Sequence, residues 1–345
     1  MTMEECTISD GWTYKGMRVV YMENSVLRIG ILVDRGSDIF EFTYKPLGID
    51  PLLRLPKGIR NPARDFSQMR DTSHQFEDYY YGGWQEILPN SPTFNYRGAA
   101  LGQHGEVSLI PWKYAIIKNS TTEIALKVWT EPLRIPLRIE KTFILKKGEA
   151  KLYISEQLTN MGKTEVDIMW GHHIAFGLPF LDDGAVIESN AQTFFAEPTM
   201  PSNRRFKSGT AFVWPMGEGL DGKKDNASII PDAEAKPYSD LCYLSDYNGD
   251  AFYSIKSKKY GIGFQLNWDG NLFKHLWLWQ ERFATKDFPW WGQCYTDALE
   301  PWTSAWTSDP EKAIQNGEWL HLEAEEVVNT QLSASVVPTL NEQKA

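Results

Sequence analysis

The stretch that decides the fold is LRIPLRIEKTFILKKGEAKLYISEQLTN, residues 133–160. Two runs rich in β-branched and aromatic residues, Leu133–Leu145 and Ala150–Asn160, flank the turn residues 146–149 with the sequence KKGE. Glycine tolerates a positive φ, which a tight connection between antiparallel strands requires. The stretch therefore predicts a β-hairpin of two long strands.

Similar runs recur along the chain, separated by Gly, Pro, Asn and Asp, and helical periodicity is almost absent. The other predicted strands are Met17–Met22, Ser25–Val33, Asp38–Tyr44, Glu106–Ile117, Ile124–Thr130, Glu165–Ile174, Leu241–Asp246, Ala251–Ser257, Gly261–Trp268 and Gln293–Glu300. A short helix is predicted after Asp309, which is a suitable N-cap followed by proline. Many consecutive strands predict an all-β fold, a large antiparallel β-sandwich, formed as one domain over residues 1–345.

Composition narrows the classes of partner. The chain has 345 residues and a net charge of −10, so nucleic acid and anionic membranes are not expected partners. No apolar run approaches the roughly 18 residues that span a bilayer, and the acidic amino terminus, residues 1–6, does not resemble a signal peptide. Three cysteines without a C-x-x-C pair argue against a disulfide framework. We therefore expect a cytoplasmic protein, in which long exposed sheet edges would favour a homodimer.

Two long polar or irregular stretches interrupt the strands, at residues 51–91 and 201–236. The second contains the apolar tripeptide FVW at 212–214, which favours an excursion loop over a domain boundary. Long ordered loops on a β scaffold often carry binding residues.

The adjacent histidines His172 and His173 can be separated by strand geometry. Side chains alternate between the two faces of a strand, so His172 continues an apolar face with Trp170, and His173 lies on the other face. His172 is interpreted as a hydrogen-bonded core residue and His173 as a candidate for a ligand cavity. For any single histidine, a structural role remains the more frequent alternative.

A second candidate site surrounds Glu300. In a strand here, Cys294, Thr296, Ala298 and Glu300 share one face, and the three small side chains leave volume for a ligand. Pro301 cannot donate a backbone hydrogen bond and is expected to end the strand, near a sheet rim.

Tryptophan is concentrated near this strand, with seven of the 14 tryptophans between residues 268 and 306. An indole face packs against the C–H face of a sugar ring, and carboxylates and imidazoles bind its hydroxyls. The pattern indicates a small-molecule carbohydrate pocket, although at least half of these tryptophans are expected in the core.

Three short motifs carry a family resemblance: GQHGE at 102–106, HIAFGL at 173–178 and ALEPW at 298–302. In this order and spacing the chain resembles the aldose 1-epimerase (galactose mutarotase) superfamily, and specifically an uncharacterised branch of it. The resemblance spans roughly residues 17–330 and implies the antiparallel supersandwich fold and a cofactor-independent isomerase of sugar anomers, with no metal.

The resemblance also implies roles for individual residues. His173 would be the general acid, Glu300 the general base, and His104 a histidine that binds the sugar. Asp240 matches a substrate-binding aspartate of the family. The family's Asn-Arg substrate-binding pair has no clear counterpart: Asn90 is the predicted substrate contact in that region, and no arginine follows it.

Two aromatic residues complete the predicted substrate contacts, Trp279 and Trp302.

Three alternative functions remain open from the sequence. The first is a carbohydrate-binding protein without turnover, and the second a glycoside hydrolase or lyase that pairs Asp240 with Glu300. The third is a metal-dependent isomerase that uses His104, Glu106 and His173.

Overall fold

A computed structural model describes residues 5–65, 73–181, 184–199, 203–231 and 235–339. Parts of the amino-terminal segment and of the two irregular stretches at 51–91 and 201–236 lie outside these residues.

The described residues are built almost entirely from β-strands. The strands are β1 (Thr7–Tyr14), β2 (Met17–Glu23), β3 (Leu27–Leu32), β4 (Asp38–Tyr44), β5 (Trp84–Ile87), β6 (Phe94–Tyr96), β7 (Ala99–Leu101), β8 (Lys113–Asn119), β9 (Glu123–Thr130), β10 (Leu137–Lys146), β11 (Lys151–Asn160), β12 (Val166–Ile168), β13 (Gly171–Gly177), β14 (Val186–Ser189), β15 (Thr193–Ala196), β16 (Ala211–Val213), β17 (Met216–Glu218), β18 (Lys224–Asn226), β19 (Ser239–Ser245), β20 (Asp250–Ser257), β21 (Ile262–Asp269), β22 (His275–Arg282), β23 (Tyr295–Trp302), β24 (Leu320–Leu322) and β25 (Val327–Pro338). The helices are α1 (Gln75–Tyr79) and α2 (Pro310–Gln315). Neither helix is long and apolar enough to cross a membrane.

Two large antiparallel sheets form the molecule. One has eleven strands in the order β1-β2-β3-β4-β5-β13-β23-β22-β19-β15-β16, and the other has eight in the order β14-β20-β21-β25-β11-β10-β9-β8. The predicted hairpin is β10–β11, whose register pairs Leu145 with Leu152. Along both strands buried and half-buried side chains alternate, as expected for strands with one face toward the core. The predicted all-β sandwich is confirmed.

The two sheets pack through a large apolar core. Phe264 of the eight-stranded sheet contacts three aromatic rings of the eleven-stranded sheet, with centroid distances of 5.2 Å to Phe42, 6.4 Å to Trp84 and 5.1 Å to Phe176. Such interdigitation of inner-face side chains is the usual basis of sandwich stability. The opposite face of the eleven-stranded sheet carries a second apolar cluster, which includes Ala175, Trp277 and Trp302. The candidate site lies on that outer face.

Several predicted elements match the structure, and three need correction. The helix after Asp309 is confirmed, with the carboxylate accepting from the backbone amide of Lys312 at 3.1 Å. The strand predicted at Glu106–Ile117 begins only at Lys113, because the amides of Leu109 and Ile110 fold back onto the carbonyl of Glu106. The strand predicted at Glu165–Ile174 is divided into β12, which pairs with β24, and β13, which lies in the large sheet.

Pro301 is the third correction, because it does not end its strand. β23 continues through Pro301 to Trp302, and Pro301 pairs with Leu276 of β22. On the other side of β23 lies β13, and the pairing of these two strands is interrupted between the pairs Gly171–Trp302 and Ala175–Ala298. The proline supplies no amide hydrogen to the ladder in this interval. Glu300 therefore lies within a central strand and not at a rim.

Candidate active site

Three neighbouring strands, β13, β23 and β22, carry the centre of the site. Gly171 pairs with Trp302 and Ala175 with Ala298, so this register sets His173 opposite Glu300. Since directly opposed residues share a face of the sheet, both side chains project on the outer face. The sandwich core receives the neighbouring residues Ile174 and Leu299 instead.

The imidazole and the carboxylate are in contact. The Nε2 atom of His173 lies 3.5 Å from an Oε atom of Glu300, and both side chains are almost fully buried. The Tyr80 hydroxyl lies 3.5 Å from Nδ1 of His173, on the other edge of the ring. The structure thus brings together two groups that are far apart in the sequence, with an acidic and a basic atom within reach of one small ligand.

The carboxylate of Glu300 is held from behind by tryptophan. The indole N–H of Trp302 donates to the second carboxylate oxygen at 3.0 Å, and the Trp302 ring stacks on Trp277 at a centroid distance of 4.4 Å. A side chain at Gly171 would place its Cβ 2.3 Å from the Trp302 ring, so only glycine fits beneath it. These contacts give Glu300 one orientation, toward His173.

His104 reaches the same place from a loop. It has a φ of +60°, an uncommon conformation for a non-glycine residue, and its amide donates to the carbonyl of Ser91 at 2.9 Å. Its ring centroid lies 5.6 Å from that of His173. The buried Nδ1 atom of His104 has no hydrogen-bond partner among the described residues. A buried nitrogen without a partner is uncommon in native structures.

These groups face a cavity of about 170 Å³. The aromatic part of its lining is Phe76, Tyr80, Trp277, Trp279, Trp290 and Trp306. The polar part is Glu77, Ser91, Gln103, His104, His173 and Glu300. Drug-sized ligands occupy pockets of roughly 300–1,000 Å³, so this cavity fits a smaller molecule with apolar faces and several polar groups.

Burial sets the protonation of the pair. Desolvation raises the pKa of Glu300 to about 8, with the Trp302 hydrogen bond opposing it. Desolvation, with the nearby His104, holds the pKa of His173 well below its ordinary range. Desolvation also lowers the pKa of His104 to about 3. At neutral pH the His173–Glu300 pair therefore holds one exchangeable proton on the carboxyl group, next to a neutral imidazole.

Three of the predicted substrate contacts lie outside the cavity lining, and two of these, Asp240 and Asn90, bind backbone groups instead. Asp240 precedes Leu241, which lines the cavity, and therefore faces the opposite side of β19. Its carboxylate accepts from the backbone amides of Arg205 and Phe206 at 2.9 and 2.8 Å, so it holds the backbone of residues 205–206 against β19. Asn90 is fully buried and donates to the carbonyls of Pro92 and Gly102. It shapes the loop that carries His104.

The two predicted tryptophans differ in their placement. Trp279 lines the cavity as expected, with its ring centroid 5.9 Å from that of His173. Trp302 is fully buried behind Glu300 and is absent from the lining, so it contacts the carboxylate and not the cavity. Trp302 is thus a positioning residue.

Phe76 and Tyr80 complete the walls and were not predicted from the sequence, whereas Trp290 belongs to the concentration of tryptophans at 268–306 that predicted an aromatic pocket. Tyr80 lies in the run YYYGG at 79–83, inside the irregular stretch at 51–91 that was marked as a place for binding residues. Trp290 packs against Trp279 with a centroid distance of 5.3 Å. The aromatic run at 79–83 was the sequence signal for a wall residue. The side chains that surround it in the cavity come from distant strands, which the run does not indicate.

Metal-ligand geometry does not form around His104 and His173 in the described residues. Glu106, the third member of that set, accepts the amides of Leu133 and Arg134 at 2.7 and 3.0 Å. Within the described ranges, one group of three brings ligand atoms within 4.8 Å of one another: Glu86, Glu156 and His172. That group lies in the sandwich core, where the Lys141 ammonium already binds Glu86 at 3.0 Å. A fixed cation at this point disfavours a metal ion.

A family model matches residues 14–336 of this chain, and the family is described as a domain of unknown function, DUF4432. The chain belongs to the DUF4432 family. No curated protein matches it.

Solved structures show the fold of this DUF4432 protein. A "putative aldose 1-epimerase" of Klebsiella pneumoniae superposes with a TM-score of 0.71 at 15% identity, over 96% of this chain and 83% of that one. A galactose mutarotase-like protein of Clostridium acetobutylicum gives a TM-score of 0.65 at 16% identity, over 97% and 99% of the two chains.

Proposed function

We propose that this protein is a cofactor-independent sugar mutarotase, an isomerase that interconverts the anomers of a monosaccharide or a monosaccharide derivative. The observation that carries the proposal is the 3.5 Å contact between His173 and Glu300 inside an aromatic-walled cavity. The galactose mutarotase-like fold agrees with it.

The chemistry needs one acid and one base. A base removes the proton of the C1 hydroxyl while an acid protonates the ring oxygen, and the bond between C1 and the ring oxygen breaks. The aldehyde end then rotates, and ring closure reverses both proton transfers. His173 serves as acid and Glu300 as base once the single proton of the pair has moved across their contact. The site is regenerated after each turnover, so no other reactant is consumed.

The cavity also matches a sugar in shape and polarity. Trp279 and Trp290 present indole faces for the apolar side of a pyranose, and the His104 ring lines the same cavity as a polar contact for its hydroxyls. A volume of about 170 Å³ favours one sugar unit at the reacting position. Among the residues that the structure describes, none of those that line the cavity is Lys or Arg, which favours an uncharged unit there.

The reaction is tested by exchange NMR at the anomeric protons of glucose, galactose and their 6-phosphates. We expect the wild-type protein to accelerate exchange for a neutral sugar. His173→Asn should slow it by about 10²–10⁴-fold, because one proton-transfer group is lost. His321→Asn is the matched control, since His321 is half-exposed and pairs with Asp167 on β12. Wild-type exchange rates in His173→Asn would contradict the assignment.

The rate should depend on pH through the one-proton state of the pair. The folded pKa of Glu300 is raised to about 8, so the proton is retained through neutral pH and lost above it. The pKa of His173 is far below neutrality, so a second proton is not gained there. We expect a plateau across neutral pH and a decline above about pH 8 in kcat/KM. If kcat/KM already falls with rising pH at a pH below 6, this protonation is contradicted. A plateau of kcat/KM that persists to pH 10 would contradict it as well.

A carbohydrate-binding protein without turnover is the second candidate. It is favoured by the missing arginine after Asn90 and by the lack of arginine among the described residues that line the cavity. It predicts sugar-dependent changes in tryptophan fluorescence, from Trp279 and Trp290, with no acceleration of anomer exchange. The same NMR samples distinguish the two functions.

A further inference from the structure

A second, larger cavity of about 490 Å³ lies beside the first. Trp306 lines both cavities, so the two are neighbours separated by one side chain. The mechanism above uses none of the other residues of this second cavity.

The strands explain why the cavities adjoin. On β19, Leu241 lines the first cavity, and Tyr243, two residues further, lines the second. On β22, Trp277 lines the first cavity and His275 the second. Because residues two apart share a face, both cavities open on the outer face of the eleven-stranded sheet. One extended ligand can therefore lie along this face, across adjacent strands.

The lining of the second cavity combines aromatic faces with hydroxyl groups. Phe195 and Tyr243 are stacked with a centroid distance of 6.3 Å and an interplanar angle of 13°. The hydroxyl-bearing residues of the lining are Thr193, Thr199, Tyr243, Ser245, Thr307 and Ser308. Aromatic faces with hydroxyls between them are the groups that contact a sugar ring and its substituents.

Charge selects the kind of ligand. Glu197 is the charged residue in the lining, and its carboxylate accepts from the amide and the hydroxyl of Thr199 at 2.8 and 2.9 Å. Burial lowers the pKa of His275 to about 4, which keeps this imidazole neutral. Among the described residues, the lining contains neither Lys nor Arg, the residues that bind phosphate or sulfonate. A neutral ligand fits this cavity, and an anionic one does not.

We propose that the second cavity is a subsite for the next sugar unit of a neutral oligosaccharide, whose reducing-end unit occupies the cavity of His173 and Glu300. The substrate class is then a neutral disaccharide or short oligosaccharide and not a free monosaccharide alone. This inference rests on the proposed function for its reacting end. The larger volume of the second cavity accommodates a whole second ring.

The test compares lactose, maltose and cellobiose with glucose and galactose by anomeric exchange NMR, and binding by calorimetry. Phe195→Ala removes one face of the stacked pair from a half-buried position. We expect it to lower kcat/KM for the preferred disaccharide about tenfold and to leave the monosaccharide rate within about twofold. Ala211→Trp, at an exposed lining position on β16, fills the cavity without opening the core and should act in the same direction. Ile117→Trp, at an exposed position on β8 of the other sheet, is the control.

The outcomes separate this inference from the proposed function. Equal losses for both classes of sugar, or no loss for either, in a protein that accelerates exchange would overturn the subsite and leave the mutarotase standing. If the wild type accelerates no exchange, yet binds a disaccharide more tightly than its component sugars and loses that advantage in Phe195→Ala, the subsite stands and the mutarotase fails. Tighter binding of sugar phosphates than of neutral disaccharides would overturn the subsite.

Discussion

Replacing Glu300 by glutamine is expected to slow anomeric exchange by about 10²–10⁴-fold while leaving the site intact. Glutamine has the same shape and can still accept the indole N–H of Trp302, which lies 3.0 Å from the carboxylate. It cannot take up or release a proton at this position. The loss should therefore appear in kcat, and sugar binding measured by tryptophan fluorescence should change little.

The same substitution should stabilise the fold at alkaline pH. The folded pKa of Glu300, about 8, lies above its ordinary value of 4.5. The unfolded chain thus loses this proton first, and the wild type loses stability as the pH rises from 4.5 to about 8. Glutamine does not ionise, so Glu300→Gln should be more stable than wild type by on the order of 4 kcal/mol at pH 8 and about equal at pH 4.5.

Urea unfolding at the two pH values measures this difference, and exchange NMR measures the rate. Glu188→Gln is the matched control, since Glu188 lies on β14 of the other sheet in an exposed ion pair with Lys256. The control should change neither quantity by much. A Glu300→Gln protein that is both fully active and less stable at pH 8 would contradict the assigned role and the buried, protonated carboxyl group.

Replacing Lys141 by methionine is expected to destabilise the protein by about 3–5 kcal/mol. Lys141 is buried between the sheets, with its ammonium 3.0 Å from Glu86. His172 bridges Glu86 and Glu156, with nitrogen–oxygen distances of 3.5 and 3.2 Å. Burial raises the pKa of Glu86, but His172 and Lys141 outweigh it and keep the carboxyl group ionised. Without Lys141, this group of two carboxylates keeps one imidazole as its cationic partner, besides the indole N–H that Trp170 donates to Glu86.

Urea unfolding at pH 7 tests this prediction. Lys127→Met is the control, because Lys127 makes a 2.9 Å ion pair with Glu140 at a more exposed position and should lose at most about 1 kcal/mol. The double variant with Lys141→Met and Glu86→Gln should recover much of the loss, since the uncompensated charge is removed with its partner. A loss below about 1 kcal/mol in Lys141→Met would show that the ammonium does not neutralise Glu86.

Local strand signals predicted much of the fold, and long-range partners explain what they missed. The hairpin of β10 and β11 has its apolar face, its turn and its pairing partner within 28 residues, so the sequence contains the whole unit. β25 lies between β11 and β21, whose residues are far away in the chain. β22 carries Gln280 and Arg282, which are buried because Asp297 of β23 binds both. Neither strand was predicted, because the sequence of such a strand does not show which distant groups satisfy it.

The candidate site divides in the same way. The period of two along a strand was sufficient to separate His172 from His173 and to put Ala298 with Glu300. The period does not say what lies opposite a face, so Asp240 and Asn90 were expected at the ligand and instead bind backbone groups. Trp302 was expected in the cavity wall, but Gly171 makes room for its ring behind the carboxylate.

The sequence by itself determined the strand type, the sandwich class and the face to which each histidine belongs, because these depend on the short-range period of side chains along an extended backbone. Only the tertiary structure decided that His173 and Glu300 lie in contact in a buried site, that His104 joins them from a loop, and that a second cavity lies beside Trp306. Those properties depend on burial and on the contacts between distant segments. Desolvation and packing arise only when the sheet has formed and the loops have closed over it.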